Sequence, residues 1–190
     1  MSLNVIPLES RHIESISSKL IEPAILKALG LVRAPSHADL QSGTAQSLFG
    51  QEETVQQVRW WVIELSGRPT WAAIEYGWRG ALDASRELDL FRLDGVTAPG
   101  EDFLWMLWSL VREVMRRRQT RRIRWQVSKI DEKGRFYRRL GLHELGEFEL
   151  EGDSREVFEL SRGRFERVET ELGEAQGRRA LLRAWRAALI

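Results

Sequence analysis

Arg116, Arg117, Arg118, Arg121, Arg122 and Arg124 crowd positive charge into one short stretch of the chain. Guanidinium groups at that density suit phosphate, RNA or an acidic protein surface. They equally suit the carbonyl end of a helix, where cations are favoured. No second basic stripe supports a nucleic-acid surface. The 29 Lys and Arg residues stand against 28 Asp and Glu, so the formal charge of +1 gives no net field toward nucleic acid or membrane. His12, His37 and His143 fall on a helix, in a loop and after a helix cap, without ligand spacing, and no metal site is expected. Cysteine is absent, which excludes disulfides, thiolate metal sites and a cysteine nucleophile. Glu75, Glu87 and Asp89 fall on strand-like runs, where alternating charges are ordinarily wet, and Tyr137 falls on a short helix.

The elements that must position these groups are readable from periodicity. Ile123, Trp125 and Val127 alternate with Arg122, Arg124, Gln126 and Ser128, the period of a strand with one buried face. Helical spacing follows: Phe136 and Leu140 lie four apart, Arg135, Arg138 and Arg139 take the wet side, and Gly141 stands where a left-handed cap falls. Upstream, Phe103, Leu104, Leu107, Trp108, Val111, Val114 and Met115 mark the wide apolar face of a central helix, entered after a break at Gly95 to Gly100. Val58 to Leu65 and Thr70 to Trp78 read as a hairpin around Ser66-Gly67-Arg68-Pro69, with Glu87 to Leu93 as a third strand of the same antiparallel sheet. Leu3 to Leu8 reads as a strand, and Ile13, Ile16, Leu20 and Ile21 as a helix capped by Ser10. Pro23 opens a second short helix, and Arg33 to Gly50, rich in Ser, Gly and Gln, reads as a loop. Leu145 to Leu150 and Glu156 to Leu160 are two more strands. Beyond them, Phe165, Val168 and Leu172, then Leu181, Leu182, Trp185 and Leu189, predict one or two helices broken near Gly173 to Gly177.

The tail Arg135-Phe136-Tyr137-Arg138-Arg139-Leu140-Gly141-Leu142 resembles the FYxxLGF signature of the GNAT superfamily of acyl-CoA-dependent N-acyltransferases. The element order over residues 3–162 is also similar to that of the superfamily. The resemblance implies an α/β fold whose mixed, mainly antiparallel sheet splays between its fourth and fifth strands and is flanked by helices. It further implies transfer of an acyl group, foremost acetyl, from acyl-CoA to a small-molecule or protein amine, with acetyl-CoA or another acyl-CoA as co-substrate and no metal. GNAT enzymes hold the CoA pyrophosphate on backbone amides of a Q/R-x-x-G-x-G/A loop at the start of the central helix, where free N–H groups and the helix dipole favour an anion. Here the corresponding cofactor-binding set is Arg92, Gly95, Val96, Thr97, Ala98 and Gly100, joined by Ser128. The loop is degenerate: Thr97 stands at the second small position, Ala98 comes one place late, and Glu101 and Asp102 in the first turn repel a pyrophosphate. By the same resemblance Tyr137 protonates the leaving thiolate, a role suited to a phenol of pKa near 10. Glu75, Glu87 and Asp89 lie where the superfamily draws its general base. Seven and four places before Tyr137 this chain has Ile130 and Lys133, where the superfamily often has Asn and a small residue.

A chain of 190 residues, 43% of them hydrophobic, can bury one good core. The expectation is a GNAT-like domain over residues 1–162 and a helical extension over 163–190. That extension has the pattern of helices that dock, dimerise or cover a sheet edge. The competing expectation is a non-catalytic GNAT-like module that binds or builds structure through its arginine cluster or C-terminal helices. No basic residue or long apolar run marks Met1 to Pro7 as a signal peptide, so a cytoplasmic location is expected.

Overall fold

In the computed structural model, β1 (Leu3–Pro7), β2 (Val55–Leu65), β3 (Arg68–Trp78) and β4 (Ser85–Arg92) pair antiparallel in that order. The structure describes residues 2–29, 31–42, 55–78, 85–93, 103–117, 120–129, 132–139, 142–150 and 152–188. The chain divides into two units, residues 1–97 and 98–190.

In the first unit, the turn between β2 and β3 uses Ser66 at φ 51° and Gly67 at φ 77°, two consecutive left-handed residues. Such a turn matches the right-handed twist of the strands it joins. Pro69 enters β3 opposite Glu64, beside a register shift between Ile63 and Glu64. A proline cannot donate to the ladder, and an irregular position tolerates that loss.

One face of this sheet, carrying Val58, Trp60, Val62, Ala72, Ile74 and Phe91, packs with Ile13, Ile16, Leu20 and Leu40 in one core. The opposite face carries Trp61, Ile63, Trp71, Leu88 and Leu90, and these are buried too. Runs such as Trp60-Trp61-Val62-Ile63 follow from that, because a strand covered on both sides needs apolar residues in succession.

The helices on the first face are α1 (Ile13–Leu20), α2 (Pro23–Ala28) and α3 (His37–Ser42). A 3-10 turn, Ser10–His12, precedes α1, and Glu9 stands at its N-cap in place of the expected Ser10. Proline occupies the first turn of α2, where its missing N–H costs nothing. α3 lies inside the stretch expected to be a loop. It is secured by a reciprocal cap in which Ser36 N donates to Asp39 Oδ2 at 2.7 Å and Asp39 N donates to Ser36 Oγ at 3.2 Å.

The second unit runs α4 (Phe103–Met115), β5 (Arg122–Ser128), α5 (Glu132–Arg139), β6 (His143–Leu150), β7 (Asp153–Ser161), α6 (Arg162–Leu172) and α7 (Arg178–Ala187). Its strands lie in the order β5-β7-β6, both pairs antiparallel. α6 and α7 pack on α4: the Trp108 ring meets Phe165 and Trp185, each at 5.3 Å between centroids. Glu169 accepts from Trp108 Nε1 at 2.6 Å and from Arg112 Nε at 2.8 Å, so the one polar group of the indole is satisfied inside an apolar contact. Of the residues that suggested a docking or dimerising surface, Phe165, Val168, Leu172, Leu181 and Trp185 are buried, Leu182 is half-buried and Leu189 lies outside the described residues. No described helix is long and apolar enough to cross a membrane.

Candidate active site

The pairing of β3 with β4 sorts the three candidate carboxylates onto two faces. Tyr76 stands opposite Glu87, Ile74 opposite Asp89, and Glu75 opposite Leu88. Residues paired across strands share a face and successive residues alternate, so Tyr76, Glu87 and Asp89 project together while Glu75 projects from the other side. All three carboxylates are buried, at 2% exposure for Glu75, 7% for Glu87 and 9% for Asp89. This corrects the expectation of wet strand charges. Alternation implies a solvated face only when the sheet has one, and both faces here are covered.

Tyr76 Oη donates to Asp89 Oδ2 at 3.0 Å and lies 3.4 Å from Glu87 Oε2. A phenol has one proton, and the shorter contact is to Asp89. Burial, then the charges of Asp89 and Glu87, push the Tyr76 phenol well above its ordinary value, so it stays a donor. Two carboxylates thus meet one phenol on this face.

On the opposite face, Glu75 Oε2 accepts from Trp61 Nε1 at 2.9 Å, and its Oε1 lies 3.6 Å from Arg86 Nε. Gly77 makes room for that arginine, since a Cβ there would stand 2.6 Å from Arg86 Nη1. Tyr76, Trp61 and Arg86, which contact the candidate carboxylates, were not singled out by sequence reasoning. For Tyr76 the available signal was the run Trp71-Ala72-Ala73-Ile74-Glu75-Tyr76, in which a single charge interrupts an otherwise apolar strand.

In the second unit Tyr137 is almost fully buried at 1% exposure. Its ring lies 5.6 Å from that of Trp125 and 5.5 Å from that of Phe158. Ser128, expected to contact cofactor, donates from Oγ to Asp153 Oδ1 at 2.7 Å. In the first unit the Arg92 guanidinium lies over the Trp71 ring at 5.1 Å. Gly95, Val96, Thr97, Ala98 and Gly100, with Glu101 and Asp102, lie outside the described residues, as do Leu140, Gly141 and the side chain of Phe136.

Partners account for much of the arginine cluster. Arg116 pairs with Glu113 at 2.5 Å, and Glu159 takes Arg124 at 2.9 Å and Arg122 at 3.7 Å. Arg118 lies outside the described residues. Of the histidines, His12 is buried with Nε2 3.2 Å from Glu64 Oε1, while His37 and His143 are exposed. Among the described residues, Glu144, Glu147 and Glu156 bring carboxylate oxygens within 4.8 Å of one another, and Arg138 and Lys129 neutralise them.

Similar folds occur among solved acetyltransferases. The structure of AAC(6')-Ib in complex with ribostamycin and coenzyme A matches with a TM-score of 0.62 at 19% identity, covering 88% of this chain and 97% of that one. An N-acetyltransferase from Staphylococcus aureus Mu50 matches with a TM-score of 0.61 at 14% identity, over 85% and 99% of the two chains. A chimeric spermidine N-acetyltransferase SpeG from Vibrio cholerae matches with a TM-score of 0.61 at 13% identity, over 87% and 98%. No family model and no curated protein sequence matches the chain. The chain has the mixed α/β, mainly antiparallel GNAT fold of these enzymes.

Proposed function

We propose that this protein is an acyl-CoA-dependent N-acyltransferase that moves an acetyl group from acetyl-CoA to a small-molecule amine. The observation that carries this reading is the placement of Glu87 and Asp89 on one face of β4, withdrawn from water and drawn to one phenol. Burying a carboxylate is costly, and apolar residues of similar volume often stabilise a core more. Carboxylates kept there suit a site that must attract an ammonium and deprotonate it. The shared fold of neighbours solved with coenzyme A or acetyl-CoA supports acyl-CoA as the donor.

In this mechanism Asp89 or Glu87 takes a proton from the ammonium, and the freed amine attacks the thioester carbonyl. A C–N bond forms, the C–S bond breaks, Tyr137 gives its proton to the departing thiolate, and the surplus proton on the new amide nitrogen passes through solvent to restore the Tyr137 phenol, so that one proton, held by the carboxylate, is released overall. Arg92, the backbone of Gly95, Val96, Thr97, Ala98 and Gly100, and Ser128 form the cofactor-binding set. Glu75 serves to hold Arg86 rather than to move a proton. The alternative reading is a non-catalytic GNAT-like module acting through the arginine cluster or the C-terminal helices; the pairing of Arg116 with Glu113 and of Arg124 with Glu159 favours the catalytic reading over it.

Calorimetric titration with acetyl-CoA and with CoA, followed by transfer assays on spermidine, kanamycin and a lysine peptide, tests the proposal. Binding of acetyl-CoA with turnover on a soluble amine is the expected result. Absence of CoA binding sinks it.

A further inference from the structure

α5 has eight residues, too few to be a stable helix by itself, so its seat on the sheet must come from tertiary contacts. Gly134, Tyr137 and Arg138 share one of its faces by their spacing of three and four. Beneath that face lie two cross-strand pairs of β5 and β7, Trp125 with Phe158 and Val127 with Glu156. Tyr137 packs against the first pair. Gly134 sits over the second, where a Cβ would stand 3.3 Å from Glu156 Oε2 and 3.6 Å from Val127 Cγ2. Arg138 pairs with Glu156 and lies over the Phe158 ring at 5.8 Å.

Glu156 is only 4% exposed, and its Oε2 has no hydrogen-bond partner among the described residues. An unsatisfied oxygen on a buried carboxylate is costly, and no step of the proposed reaction uses it. We propose that Glu156 is a positioning residue for Tyr137. Its charge draws Arg138 down onto the sheet, and the space left at Gly134 lets α5 settle to the depth at which Tyr137 enters between Trp125 and Phe158. A methyl at 134 meets Glu156 Oε2 at 3.3 Å, so the carboxylate or the helix must give by a few tenths of an ångström, and loss of the charge at 156 frees the rotation of α5. The inference rests on the reading of Tyr137 as the acid that protonates the thiolate.

The test compares the full chain with Glu156→Gln, Gly134→Ala and Tyr137→Phe. Val168→Ala on α6 serves as a control for general destabilisation. Amide exchange across residues 132–139 and single-turnover transfer from acetyl-CoA to spermidine, kanamycin or a lysine peptide are measured for each. Glu156→Gln is expected to speed exchange in α5 and to lower turnover by about tenfold to a hundredfold, the cost of a reacting group displaced by about 1 Å, and Gly134→Ala to act in the same direction by less. The KM for acetyl-CoA should stay within about twofold, because only the transition state uses the acid. Val168→Ala should lower the thermal midpoint without either effect. Unchanged α5 exchange in both variants overturns the seat, as does full turnover in both when Tyr137→Phe is inactive. Full turnover in Tyr137→Phe removes the acid assignment instead, and α5 exchange then decides the seat alone.

Discussion

Arg162 donates from Nη2 to the carbonyl of Met115 at 2.7 Å, tying the first residue of α6 to the last residue of α4. The same guanidinium donates to Arg117 O at 2.9 Å and to Thr120 O. Helix C-terminal carbonyls lack partners within the helix, and a cation suits the negative end of its dipole. The arginines just past α4 stood out in the sequence for this role, yet the cation that fills it comes from far along the chain.

Replacing Arg162 by Met keeps the aliphatic stem but leaves these carbonyls short of donors. A loss of about 1–3 kcal/mol in chemical denaturation is expected. Arg162→Lys should recover part of it, since an ammonium keeps the charge but not the fork geometry.

Asp39 gives the first unit an acid-sensitive cap. Arg33 beside it, at 2.8 Å and 3.2 Å, together with Ser36, holds its carboxyl well below the usual carboxylate range. A depressed folded pKa contributes stability present above the unfolded value, and that stability is lost as pH falls through the folded one. The loss should begin below about pH 4. Asp39→Asn should cost about 0.5–2 kcal/mol at neutral pH, the range for a helix cap, and flatten the acid limb of a denaturation series. Arg33 is 41% exposed, so added salt should shrink the difference.

Tyr76 acts at the other end of the pH scale. Its phenol is pushed up by burial first and by Asp89 and Glu87 next, so the folded chain holds a proton that the unfolded chain releases above about pH 10. Stability from this group is complete below that pH and falls as pH rises beyond it. Tyr76→Phe should remove the alkaline slope. It should also cost about 1–3 kcal/mol at neutral pH, because buried carboxylates lose a donor.

Asp89→Asn and Glu87→Gln separate the faces of the sheet by kinetics. Loss of the base should lower turnover by about 10²–10⁴ in at least one of them, with acetyl-CoA affinity unchanged. Glu75→Gln should leave the chemical step intact and lower the thermal midpoint, since it weakens the anchor of Arg86. Turnover lost in Glu75→Gln alone would assign the base to the opposite face.

The second unit was more legible in the sequence than the first. β5 shows itself through Ile123, Trp125 and Val127, and α4 through its wide apolar face, because each has one covered side and period then reports burial. β2 and β3 are covered on both sides, so alternation disappears and the rule that strand charges are wet misplaces Glu75, Glu87 and Asp89. α3 hid in a polar stretch whose short length gives no periodicity. Its signature was local, the Ser36-x-x-Asp39 cap. The depth of Tyr137 depends on Glu156 and Gly134, which meet only once α5 lies on β7, and no spacing along the chain reports that meeting.

The surroundings of Trp108 bear on the order in which the protein can be made. Its ring partners, Phe165 and Trp185, and its hydrogen-bond acceptor, Glu169, all follow it by more than fifty positions. A nascent chain stopped before α6 therefore carries α4 with that indole uncovered, an adhesive surface while the ribosome is still at work. The β2–β3 hairpin, by contrast, has its turn and both strands within 24 consecutive residues and can close early. Slowing synthesis between α4 and α7 should lengthen the chaperone-dependent phase of folding, while slowing it before α4 should not.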